Sequence, residues 1–124
     1  MKKIAILSAF VALLVSFAFF YSNSTASTAS VEPSGSGVAR TGLTISWDAV
    51  SGASYYNAKV DDDPAFSSPE LMRLNHTSTS FQQGTEIGDV DPLNASTQFN
   101  IEVRAFNSLG QQIDLQTGSF TTGN

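Results

Sequence analysis

The segment Phe99-Asn100-Ile101-Glu102-Val103-Arg104-Ala105 changes polarity at every residue. Successive side chains of an extended chain point to opposite faces, so this pattern makes one apolar face and one wet face. The same period of two runs through Leu43, Ile45 and Trp47, and again through Tyr56, Ala58 and Val60. Weaker strand candidates are 71–74, 79–82 and 112–122, and no amphipathic helix of useful length interrupts them. Turn chemistry lies between: Ser51-Gly52, Asp63-Pro64, Gly84, Asp91-Pro92 and Leu109-Gly110. Short strands at a spacing of roughly ten residues predict an all-β, antiparallel sandwich.

The first quarter of the 124 residues follows another rule. Lys2 and Lys3 precede a run of 17 residues, Ile4 to Phe20, broken only by Ser8 and Ser16, and small residues follow. That order is the order of a signal peptide over residues 1–26. Ser24 and Ala26 place cleavage after Ala26, with Ala29 as the second site. The alternative is an uncleaved anchor, because the run lies between a signal core and the ~20 residues of a spanning helix. Either way the chain is exported, to periplasm, cell surface or extracellular space, and only residues 4–20 would touch a membrane. Residues 27–37, rich in Ser, Thr and Gly, read as a flexible tether. The patterned domain is then 38–124.

No cysteine is present, which excludes both disulfides and a lipid-modified cysteine at the cleavage site. From residue 27 onward four cations (Arg40, Lys59, Arg73, Arg104) stand against eleven acids, a formal charge of −7. Such a surface repels phosphate backbones and has no basic stripe, which argues against a nucleic-acid partner.

The ordered set "LTISWDAVSGASYYNAKV", "TQFNIEVRAFNSLG" and a last strand ending "FTT" resembles the fibronectin type III domain. Trp47, Gly52-Ala53 and Tyr56 match its second and third strands, and Thr97, Phe99, Val103, Ala105, Asn107 and Gly110 match its sixth. The resemblance covers about 38–122 and implies a seven-stranded, immunoglobulin-like β-sandwich. It also implies binding, adhesion or spacing as the work, with no chemistry of its own. Two departures fall at the corner before the sixth strand. Phe99 stands where the family has a tyrosine, and four residues separate Pro92 from Thr97. The family's Arg-Gly-Asp tripeptide is absent; the loop reads "NSLGQQ".

Catalytic residues are not expected. His76 is the only histidine and reads as an exposed polar residue in a wet connection; the glutamates are scattered, and a zinc site would lack its usual ligands. No cofactor is implied. Trp47, Tyr56, Phe81, Phe99 and Phe120 fall on inward phases and read as core. Tyr55 and Phe106 fall on the outward phase and are the candidates for exposed contact with an unknown protein or glycan ligand. The sequons at Asn23, Asn75 and Asn94 are expected bare behind a leader of bacterial type. Asp61-Asp62-Asp63 reads first as a turn, with Phe66 folding back onto the core. The alternative is a weak cation pole formed by Asp61, Asp63, Asp89 and Asp91, with Arg40 as its nearest cation.

Overall fold

The computed structural model describes residues 30–124. Seven strands follow in chain order: β1 (Gly35–Val38), β2 (Thr44–Ser46), β3 (Tyr55–Asp61), β4 (Leu71–His76), β5 (Ser80–Gln82), β6 (Gln98–Phe106) and β7 (Gln112–Thr122). Five of them form one sheet in the order β1-β7-β6-β3-β4, and β2 pairs with β5 to form the other. All pairs are antiparallel except β1 with β7. The signal-peptide reading and its cleavage sites lie outside the described residues.

The alternation seen in sequence sets the core. In β6, Phe99, Ile101, Val103 and Ala105 are all buried, and β3 places Val60, Ala58 and Tyr56 opposite the last three of them. Leu43, Ile45, Trp47 and Phe81 complete the layer from the second sheet. Each large side chain buried this way contributes about 1.5–3 kcal/mol relative to exposure. Trp47 meets Tyr56 edge-on at 5.6 Å and tilts against Phe81 at 6.2 Å, so the five aromatics expected in the core are there.

The N-terminal boundary differs from the sequence reading. Residues 30–37 are not tether but part of the sandwich. Val31 is buried in the core, Glu32 exchanges two backbone hydrogen bonds with Ser46, and β1 runs beside β7. The reason is a partner the local sequence does not reveal. Gly118 of β7 has no side chain, and Val31 packs where one would stand: a Cβ at Gly118 would lie 3.1 Å from the Val31 Cβ.

The corner between β5 and β6 is held without a tyrosine hydroxyl. Phe99 is fully buried and stacks on Phe120 at 5.5 Å. Two other side chains supply the polar bonds. Gln83, buried, accepts from the Leu43 amide and donates to the carbonyls of Arg40 and Val90. Thr122 donates to the Asn94 carbonyl and accepts from the Thr97 amide.

Side chains also join the two sheets along their flanks. Gln116 of β7 accepts from the Asp48 amide and donates to the Asp48 carbonyl. On the opposite flank His76 Nε2 bonds to the Ser80 carbonyl at 2.7 Å, and Arg73 donates to the Gln82 carbonyl. His76 is therefore half-buried against Trp47 and Phe81, not the wet residue its polar neighbours suggested.

Candidate functional site

Asp61 ends β3 on the outward phase, yet it is only 1% exposed, because the loop 62–70 folds over it. Its two carboxylate oxygens accept the amides of Asp63 and Ser68. Burial pushes its carboxyl up, but those amides together with bonds to the Asp62 and Glu70 side chains hold it below the ordinary aspartate value. Asp63 accepts the Ser67 hydroxyl and the Ala65 amide, and these bonds lower it as well. The triplet is thus a turn that writes its own loop geometry. Phe66 does not return to the core as expected. It sits half-buried in the loop at φ 53°, outside the apolar cluster.

The four-aspartate pole is not assembled. Asp89 is taken by Arg73, which grips it through its two terminal guanidinium nitrogens, each at 2.8 Å. The same carboxylate accepts the amides of Gly84 and Glu86 and stays below its usual value, chiefly through Arg73. Asp91 lies exposed beside Gly84. Among the described residues, the acids whose oxygens do converge are Asp61, Asp62 and Glu70, all within 4.8 Å. Burial and the two neighbouring aspartates raise the Glu70 carboxyl, and its Oε2 accepts the Asp62 amide.

Arg73 was not singled out from the sequence, where it sits in "LMRL" as an ordinary strand cation. In the fold its side chain is only 3% exposed. It pairs with Asp89 and Glu86, bonds Thr85 and the carbonyls of Met72 and Gln82, and lies 4.4 Å over the Phe81 ring. The signal available was its phase: position 73 alternates inward with Leu71. A cation on an inward phase needs a buried acid to meet it.

The wet side of the five-stranded sheet carries the residues expected to make contacts. Register places Tyr55, Phe106 and Gln112 in one row across the strands, Asn57, Arg104 and Leu115 in the next, and Met72, Lys59, Glu102 and Thr117 in a third. Tyr55 and Phe106 stack on each other at 5.1 Å, 10° from parallel, and both are half-buried. Arg104 closes on both oxygens of Glu102 and reaches Gln112 with its remaining nitrogen. Lys59, opposite Glu102, forms no ion pair among the described residues. Met72, Leu74 and Leu115 stand exposed around this row.

Seven strands in two sheets, with the tryptophan that follows the second strand buried against the tyrosine of the third, make the arrangement implied by the sequence resemblance. The fold is fibronectin type III-like. Among solved structures the chain is similar to an Fn3-like protein from Clostridium thermocellum, at 18% identity over 78% of this chain and 90% of that one, with a TM-score of 0.49. It is also similar to part of the Streptomyces avermitilis α-L-rhamnosidase complexed with L-rhamnose, at 19% identity and a TM-score of 0.54. An α-L-rhamnosidase from Dictyoglumus thermophilum gives 13% identity and the same TM-score. In both cases 78% of this chain matches, and the match spans only 10% and 12% of the rhamnosidase chains. No family model and no curated protein matches the chain. At these identities the likeness is one of fold.

Proposed function

We propose that the chain is an exported, non-enzymatic binding or adhesion module of the cell envelope or extracellular space, acting through the outer face of its five-stranded sheet. One observation carries the reading: that face holds a stacked aromatic pair, fixed polar groups and exposed apolar side chains together on a rigid support. Contact surfaces combine aromatic and apolar anchors with a polar rim in this way. The test is saturable retention of the labelled chain on cells of its source. Tyr55→Asp should weaken retention at least tenfold in a domain that remains folded at the assay temperature, with its melting temperature lowered only by the lost stacking. Equal retention of the variant overturns the assignment of the face.

Export has its own test. Intact mass of the exported protein should show a chain beginning at Ser27, or at Ser30 for the later site. Full-length chain recovered with membranes after a high-salt wash favours the anchor instead.

A second reading is an accessory or carbohydrate-binding module of an extracellular enzyme system. The likeness to small parts of two α-L-rhamnosidases supports it, since there a domain of this shape belongs to a much larger enzyme chain.

A further inference from the structure

We infer that the outer face around Tyr55, Phe106 and Arg104 is a binding platform for a neutral pyranose polymer. The inference rests on the binding-module reading and names the ligand class of the same face.

A pyranose ring has an apolar face of C–H groups and a rim of vicinal hydroxyls. It is bound by an aromatic surface with fixed donors and acceptors beside it. Tyr55 and Phe106 provide that surface through the parts of their rings that mutual stacking leaves open, across β3 and β6 at the end of the sheet next to the β6–β7 loop, and the Tyr55 hydroxyl lies at the loop's Gly110. One row along the strands, Arg104 is locked to Glu102 and to Gln112. These three side chains are held in place before any ligand arrives, so little freedom is lost in binding. Their unused donors and lone pairs suit paired hydroxyls. Asn57 stands opposite Arg104, and Lys59 follows one row further on. From the Tyr55 row to the Lys59 row is four residues of strand, roughly 13 Å, enough for about two or three linked rings.

Charge narrows the ligand. The chain from residue 27 carries −7, which repels a polyanion at a distance. On the face itself Arg104 occupies both Glu102 oxygens, and Lys59 is left without an acid partner. A cationic polymer is drawn instead to the acid-rich pole at the other end of the sandwich, and on this face it meets an uncompensated amine. A neutral glycan meets neither penalty.

Affinity gel electrophoresis of the exported chain tests the proposal, with a neutral β-glucan, a mannan and a xylan as probes and polygalacturonate as the acidic control. At least one neutral polymer should retard the chain and polygalacturonate should not. Tyr55→Ala and Arg104→Ala should each weaken retardation at least tenfold while both variants remain folded at the assay temperature, Tyr55→Ala melting lower by the lost stacking. Ile87→Ser, in the loop at the opposite end of the sandwich, should leave it unchanged. Two variants guard against a fold defect in either one. Retardation by no neutral polymer, or equal retardation of both face variants, overturns the platform. Preferential retardation by polygalacturonate that salt abolishes also overturns it. A chain retarded by none of the polymers that still binds its own cells, but not protease-treated ones, keeps the binding-module reading and loses the glycan. A chain that does neither loses both.

Discussion

Trp47 illustrates what a single residue decides in this domain. It is buried among Tyr56, His76 and Phe81, yet its Nε1 is the one buried side-chain nitrogen or oxygen without a hydrogen-bond partner among the described residues. Its ring stabilises and its donor costs. Trp47→Ala should lose about 3–5 kcal/mol, against a total of about 5–15 for a domain. Trp47→Phe keeps apolar bulk and removes the unpaired donor, so its loss should be clearly smaller. Chemical denaturation of the two variants checks the order, and equal losses would mean that the ring is not what Trp47 contributes. Arg73 is the polar counterpart. Arg73→Ala leaves the buried Asp89 carboxylate without its cation, which should cost about 3–5 kcal/mol. In the Arg73→Ala/Asp89→Ala double variant no charge is stranded. Its loss should therefore fall well short of the sum of the two single losses, as coupled neighbours do. Additive losses in a double-mutant cycle would show that the pair does not act as a unit.

At the scale of elements, legibility followed side-chain pattern. β3 and β6 were readable because Ala58, Val60, Ile101 and Val103 alternate with polar residues and both faces keep their character. β1 was not, because in Gly-Ser-Gly-Val only Val38 has a side chain to bury, and pairing with β7 is a tertiary event. The turn at Asp61–Asp63 was readable, since aspartates bond amides a few residues along the chain. The pairing of Arg73 with Asp89 was not. The two are 16 residues apart, and only the closure of the loop 83–92 brings them together. That loop carries a pH dependence of known sign. Asp89 sits below its ordinary value of 3.8 in the folded state. The stability it contributes is complete above the ordinary value and is lost as pH falls through the lower folded value. Glu70 is shifted the other way: the fold disfavours its charged form, so its contribution improves as pH falls through its raised value, above the range in which the Asp89 contribution is lost. Acid titration followed by amide exchange in residues 84–90 should show this loop opening as the pH falls below 3.8. In Asp89→Asn exchange there should already be fast at neutral pH and far less dependent on acid. A loop equally protected in both proteins would detach Asp89 from its closure.

The whole molecule makes its two ends unlike. The β1–β2, β3–β4 and β5–β6 connections gather at one pole with most of the acids, while the chain enters at the other, where the Ser30 amide meets the Asp48 carboxylate. The entry segment therefore belongs to the fold. Val31 is buried over Gly118, and Glu32 pairs with Ser46 beyond the edge of the two-stranded sheet. Without these residues Gly118 faces an uncovered gap, and the β2 edge loses two backbone hydrogen bonds. Burial of one valine is worth about 1.5–3 kcal/mol, and each lost bond adds about 0.5–1.5. A chain begun at Gly35 should thus be less stable than one begun at Ser30 by about 2.5–6 kcal/mol. In a domain of this size each kcal/mol lowers the melting temperature by about 4–8 °C. Thermal melts of the two truncations read the difference directly. A true tether over residues 30–34 would predict coincident melts, and coincidence would move the domain boundary to Gly35.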